Sequence, residues 1–262
     1  MNPAVPAISV RELSRDFGHF QAVKRISFDV APGEIVGFLG PNGAGKTTTI
    51  KMITGLLRIT SGSVLIDGLD NVTHLAEVKN KLGYMSQKFS LYPLLTAREN
   101  IEFFGGISGL APRELKAGAA RMAEQVAPAV LRQKIQDVPP GIRQKVALFV
   151  CLLPDPEIIL LDEPTLHLDI NYQFEVLDLV KRLARDEGLT VVIVSHDLPM
   201  VVRYCDRVVL IHDHGVFADG TPDDILTSEN MKTVFNIDAV LEYDATLKAK
   251  SVKMKGSFSG KV

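Results

Sequence analysis

The segment GPNGAGKTT, residues 40–48, has the residue types and spacing to hold a polyphosphate. Gly40, Gly43 and Gly45 free the backbone to turn its N–H groups inward onto phosphate oxygens, and the helical run TTIKMITGLL behind them adds the positive end of its dipole. Lys46 is placed to reach the β- and γ-phosphates and Thr47 to hold Mg2+ through its hydroxyl, with Pro41, Asn42, Ala44 and Thr48 completing the cradle. A glycine turn that only joined strand to helix would not require Lys-Thr at its end. The run IILLDEP, residues 158–164, delivers Asp162 and Glu163 at the carboxyl end of an apolar strand, where ligands of open α/β sheets bind. Two adjacent acids there can simply begin a turn. Opposite a phosphate loop they suit Mg2+, with Asp162 as its direct or indirect partner, and a polarised water, with Glu163 as general base.

Parallel strands would bring these two segments together. Short β-rich runs lie at 7–10, 26–30, 35–39, 64–67, 82–86, 158–161, 191–195 and 208–212. Several are continuously apolar, as in a parallel sheet covered on both faces, whereas the alternating ISFDV suits an antiparallel strand. The fold class expected is α/β, a P-loop NTPase core with a mixed, largely parallel sheet and an antiparallel edge. Between about 92 and 153 the strand signal vanishes and helix formers dominate, which predicts an inserted helical subdomain. The expected organisation is therefore core at 1–91, helical subdomain at 92–153, core again at 154–220, and two short helices with a lysine-rich tail at 221–262. Lys248, Lys250, Lys253, Lys255 and Lys261 in that tail read as a solvated, frayed end.

Composition narrows the function classes. With 46% hydrophobic and 23% charged residues the chain has ample apolar surface to bury. A net charge of −2 and a pI near 6.3 give no footprint for a nucleic-acid backbone, so such a partner is not expected. Cys151 and Cys205 lie in apolar segments without cysteine neighbours at metal-ligand spacing and read as buried free thiols. No stretch approaches the ~20 apolar residues of a membrane span, and the start lacks the basic-then-apolar pattern of a leader. A cytoplasmic protein that reaches a membrane only through a partner is expected.

Taken together, GPNGAGKTT, IILLDEP and the flanking motifs make residues 8–238 resemble the nucleotide-binding domain of the ABC transporter family. The resemblance implies ATP and Mg2+ as cofactors, ATP hydrolysis coupled to transport, a transmembrane permease partner, and a second ATP-binding subunit in a homodimer or heterodimer. It also implies roles for single residues. Phe17 in DFG matches the aromatic that stacks on adenine, and Gln87 in GYMSQ the glutamine that touches Mg2+ and water and relays to the permease. His196 in VIVSHD matches the histidine at the γ-phosphate, and Asp169 in LHLD the aspartate of the loop that crosses to the second subunit.

At the signature, usually LSGGQ, this chain reads VPPGI: Pro139 replaces a serine hydroxyl, Pro140 replaces a glycine N–H, and Gly141 alone survives, followed by Arg143 and Gln144. Proline supplies no N–H, yet suits a first helical turn. The helix should form, with its phosphate donors depleted. Leu166-His167 also departs from the small or hydroxyl residues common in the family. The region from the phosphate loop to residue 110 resembles drug-exporter ATPases, while the stretch after 166 is more similar to importers of metal chelates or cobalamin. A soluble ABC ATPase of translation or DNA repair is a third reading, and a subunit that binds ATP without turning it over a fourth. The single phosphate loop and the lack of sustained heptads count against the third, and the intact Lys46, Asp162, Glu163 and His196 against the fourth.

Overall fold

The computed structural model describes residues 5–87, 91–244 and 249–257. In chain order the elements are β1 (Ile8–Phe17), β2 (Phe20–Val30), β3 (Ile35–Leu39), α1 (Lys46–Ile53), β4 (Ser61–Ile66), β5 (Leu69–Asp70), α2 (Leu75–Lys81) and β6 (Leu82–Met85). They continue with α3 (Ala97–Ile107), α4 (Pro112–Gln125), α5 (Pro140–Leu152), β7 (Ile158–Asp162), α6 (Ile170–Asp186), β8 (Thr190–Ser195), α7 (Leu198–Tyr204), β9 (Arg207–His212) and β10 (Gly215–Gly220). The last are α8 (Pro222–Ile225), α9 (Ser228–Phe235), β11 (Ile237–Asp244) and β12 (Ala249–Ser257).

The continuously apolar runs IVGFL, IILLD and TVVIVS are buried along their whole length, because both faces of their sheet are covered. That sheet has the order β10-β9-β3-β8-β7-β6, parallel from β9 to β6 and closed at one edge by antiparallel β10. Strand side chains alternate between faces. Val192 and Val194 therefore join one core with Ile50 and Ile53 of α1 and the apolar face of a second, antiparallel sheet, β2-β1-β4-β5. Val191 and Ile193 point the other way, into a core built with α5, α6 and α7. The alternating ISFDV lies in β2 and pairs antiparallel with β1, as its pattern predicts.

Residues 97–125 and 140–152 supply α3, α4 and α5. Helix α3 starts where it does because Thr96 and Glu99 cap each other reciprocally, Glu99 N–H donating to the Thr96 hydroxyl at 3.2 Å and Thr96 N–H to the Glu99 carboxylate at 2.7 Å. Both cysteines are buried free thiols.

The lysine-rich end differs from its expected frayed state. Helices α8 and α9 form as predicted, but β11 and β12 then pair as an antiparallel hairpin. Ala239 is buried and Ile237, Leu241 and Val252 pack on the α5–α7 core, which ties the segment down. Lys250, Lys253 and Lys255 lie within β12, and Lys253 pairs with Glu242 at 3.2 Å, while Lys248 and Lys261 fall outside the described residues. Among the described residues no helix is long and apolar enough to cross a membrane.

Candidate nucleotide site

Strand order brings the two chemical segments together. β8 lies between β3 and β7, with Leu39 beside Ser195 and Asp162 beside Val194. The residues that follow each strand, Gly40, His196 and Glu163, are therefore neighbours at the carboxyl edge of the sheet. The loop after β3 is shaped by glycine: Gly45 has φ 101°, and a Cβ there would lie 2.4 Å from the Ala22 carbonyl oxygen of β2. No other residue fits without moving that strand. The loop ends directly in α1, so the helix N-terminus faces the cleft.

The cleft has a volume of about 430 Å3 and is lined by Phe17, Asn42, Gly43, Gly45, Lys46, Thr47, Thr48, Gln87 and Glu163, together with Phe20 and Ala22. Lys46 Nζ donates to the carbonyls of Gly40 at 2.7 Å and Pro41 at 2.9 Å, and Ala44 N–H closes the turn on the Pro41 carbonyl. Burial lowers the Lys46 pKa, while the charges of Glu163 and Asp162 oppose that shift. A buried cation beside two acids at a helix N-terminus suits phosphate oxygens bridged to a metal.

Glu163 is buried, and its backbone is held in the left-handed region at φ 54° with its N–H on the Val194 carbonyl at 3.0 Å. Such strain in a non-glycine residue costs ~1–3 kcal/mol and concentrates at functional sites. Its Oε2 lies 2.9 Å from Nδ1 of His196, a contact that an ionised carboxylate makes with the Nδ1–H tautomer, and Glu163 lines the cleft. Asp162 is 1% exposed and accepts a hydrogen bond from the Thr47 hydroxyl at 3.1 Å through Oδ1, whereas its Oδ2 is buried without a partner. Burial pushes its pKa up, the Thr47 bond opposes this, and the Glu163 charge adds to it. The neighbouring Tyr84 hydroxyl is pushed up to about 12, by burial first and by the Asp162 charge second.

An unpartnered buried carboxylate oxygen beside a threonine hydroxyl fits a hard divalent cation. Among the described residues no group of three or more His, Cys, Asp or Glu could hold a metal by itself. Thr47 and Asp162 would thus hold Mg2+ jointly with phosphate oxygens, as that ion prefers. The electrostatics give a test without nucleotide. A folded-state carboxyl whose pKa is raised destabilises the fold at pH values above that pKa, because the charged form is disfavoured there. Asp162→Asn should therefore raise the melting temperature of the nucleotide-free protein at pH 8 by roughly 2–4 °C, the shift that about 1 kcal/mol makes in a domain of this size. The gain should shrink as the pH falls toward the Asp162 pKa. A melting temperature below the parent's at pH 8 would contradict the reading of Asp162 as an uncompensated buried charge.

Gly141, read as part of the signature that meets the opposite subunit's nucleotide, and Asp169, read as part of the loop that crosses to that subunit, lie outside this cleft. Asp169 is exposed just before α6, and Gly141 is buried in the first turn of α5, where a Cβ would lie 2.1 Å from the Tyr172 ring. Pro139 and Pro140 start α5 without disturbing it, and Gln144 Nε2 donates to the Pro164 carbonyl at 2.6 Å, which ties that helix to the residue after Glu163. Phe20 and Ala22 were not anticipated as cleft residues. The two-residue turn between Phe17 and Phe20 carried the signal, since partners across such a turn share a sheet face.

The family model described as ABC transporter matches residues 23–166, and one described as an AAA domain, putative AbiEii toxin of a type IV system, matches 131–203. The probable multidrug ABC transporter ATP-binding protein YbhF of Escherichia coli is 39% identical over 85% of this chain, which spans 38% of that relative's length. The linearmycin resistance ATP-binding protein LnrL of Bacillus subtilis is 35% identical over 88% of the chain and 74% of its own length. The Fe(3+) ions import ATP-binding protein FbpC of Rhizobium etli is 32% identical over 83% of the chain and 62% of its own. Among solved structures, a dimeric ATP-binding cassette in a post-hydrolysis state with ADP and Pi superposes with TM-score 0.72 at 28% identity, covering 82% of this chain and 98% of that one.

Proposed function

This chain belongs to the ABC transporter family, and from that premise we propose that it binds ATP with Mg2+, hydrolyses it, and drives a membrane permease as one of two cassettes in a dimer. The observation that carries the reading is the buried Glu163, fixed by His196 at 2.9 Å in the cleft that Lys46 and Thr47 also line. Mg2+ would supply charge neutralisation across the β- and γ-phosphates. Lys46 binds those phosphates, and Glu163 Oε1 takes a proton from the attacking water as its oxygen bonds to the γ-phosphorus. The bond to the β–γ bridging oxygen breaks, and ADP and inorganic phosphate leave. His196 keeps Glu163 turned toward the water. Steady-state phosphate release with MgATP tests this, and no release above a Lys46→Ala control would overturn it.

A permease partner is supported by exposed apolar residues in the stretch that follows Gln87 in the sequence. Tyr92, Leu94, Phe103 and Ile107 are 40–70% exposed, and the Tyr92 and Phe103 rings meet edge to face at 4.6 Å. Exposed aromatic rings in contact with each other are the kind of apolar surface that a partner covers. We infer export, because the region from the phosphate loop to α3 is the part that resembles drug-exporter ATPases, and YbhF and LnrL carry multidrug and resistance names. The similarity to FbpC favours import as a second reading. Identification of the membrane protein that copurifies, followed by uptake or efflux in reconstituted vesicles, decides between them.

Phe17 is 46% exposed and lines the cleft, with the Arg15 guanidinium 4.4 Å from its ring centroid. Phe17→Ala should weaken ATP and GTP alike by ~1–3 kcal/mol, the scale of base-aromatic stacking. Unchanged affinity in equilibrium titrations would remove Phe17 from the site.

A further inference from the structure

The cleft holds a second exposed aromatic ring. Phe20 is 56% exposed and lines the same cleft as Phe17, although burying a ring of this size is normally favourable. Phe17 and Phe20 are direct cross-strand partners flanking the two-residue turn at Gly18 and His19, so both side chains leave the same face of the β1–β2 hairpin. What holds Phe20 comes from a distant part of the chain. His214, in the turn between β9 and β10, meets the Phe20 ring edge to face, with centroids 5.2 Å apart and planes at 89°.

The placement of His214 is itself specified. Its backbone is left-handed at φ 69°, as is that of Asp213 at φ 48°, which makes a tight turn with non-glycine residues in strained positions. His214 Nδ1 lies 3.2 Å from the Ala22 carbonyl oxygen, and the His214 carbonyl accepts from Lys24 N–H at 2.8 Å. The turn is thus stitched to β2 on both sides of Val23. Ala22 is also the residue whose carbonyl abuts Gly45 of the phosphate loop. One histidine therefore sets Phe20 and braces the strand segment that the loop packs against.

We propose that Phe20, held edge-on by His214, is a second aromatic wall of the base subsite, so that a nucleotide base is received between Phe17, backed by Arg15, and Phe20. His214 is a positioning residue. The inference rests on the nucleotide-site reading given above, and it adds to that reading Phe20 as a residue that sets base affinity and not phosphate affinity, with His214 holding it in place. It commits to a nucleobase as the ligand group, since two rings on one face of a hairpin tip offer π-surfaces and no fixed hydrogen-bond pattern.

The test uses isothermal titration of the full chain with MgADP, which cannot be turned over, and with pyrophosphate, which has no base. Phe20→Ala should weaken MgADP about five- to thirty-fold, the lower part of the stacking range, and leave pyrophosphate within about two-fold. Phe20→Tyr should restore MgADP binding to within about three-fold of the parent, since the ring is kept. His214→Ala should weaken MgADP in the parent but add nothing further in the Phe20→Ala background. Parental MgADP affinity in Phe20→Ala, or an equal loss for pyrophosphate, overturns the role of Phe20. Additive losses for His214→Ala and Phe20→Ala overturn the positioning role of His214. A parent chain that binds neither ligand overturns the nucleotide-site reading and this inference with it, whereas a parent that binds MgADP beside an unaffected Phe20→Ala overturns this inference alone.

Discussion

Replacing Glu163 by glutamine is expected to lower ATP turnover by ~10²–10⁴-fold, the loss typical of removing a general base, while nucleotide affinity stays within a few-fold of the parent. The geometry makes the substitution clean. Glutamine has the same shape, and its amide oxygen can still accept the His196 Nδ1 proton across the 2.9 Å contact, so the side chain keeps its orientation but loses its basicity. The fold should not suffer. The Glu163 charge contributes to the upward push on the Asp162 pKa, so the neutral variant relieves a repulsion between buried acids and should melt at or above the parent temperature. A fall in phosphate release with unchanged melting, together with ATP-bound dimers accumulating in size-exclusion runs, is the expected pattern. Parental turnover would remove Glu163 from the chemical step and leave His196 without its proposed purpose.

The second large effect concerns the start of α5. Pro139 occupies the cap position and Pro140 the first helical position, and the Arg143 N–H donates to the Pro139 carbonyl at 2.9 Å, so the helix is sound. Its end is poor in donors: neither proline has an N–H, and Gly141 lies beneath Tyr172. If two cassettes bind head to tail, each nucleotide meets this terminus of the opposite chain. One preorganised donor of this kind is worth ~10²–10³ in turnover. In a homodimer, Pro139→Ser with Pro140→Gly should therefore raise ATP turnover by about 10²-fold or more, measured as phosphate release per cassette. Serine is among the preferred residues at a helix cap, so the double variant should not lose its helix. In a heterodimer whose partner has intact donors, the same variant should change turnover by less than about three-fold, because the main site already faces the partner's signature. No increase in a demonstrated homodimer would show that this chain hydrolyses ATP without those donors.

Much of the site was legible because its chemistry is local. A phosphate loop is one continuous segment whose glycines, lysine and threonine act through adjacent backbone, so GPNGAGKTT carries its own geometry, and Gly43 and Gly45 take the positive φ that glycine permits there. The parallel strands were legible for a similar reason, since strands covered on both faces are apolar throughout, as IVGFL, IILLD and TVVIVS are. The β12 hairpin strand was not. AKSVKMKGS is lysine-rich and nearly featureless as a pattern, and what orders it is the packing of Val252 and its partner Leu241 on a core assembled from residues far earlier in the chain.

What the sequence determined by itself was the inventory: a phosphate loop, an acidic pair, a histidine after a strand, and a signature depleted of donors. What only the tertiary structure decided was which of these meet and how. The order β3-β8-β7 sets His196 beside Glu163, and the same packing leaves Asp162 Oδ2 buried and unpartnered, a placement that no local pattern reveals. It also carries His214 across 194 residues, counted from Phe20, to fix the second ring of the cleft. The physical reason is range. Backbone bending, capping and strand burial are set by neighbours within a few positions, whereas desolvation, ion pairing and ring contacts depend on groups brought together only when the sheet has closed its strand order.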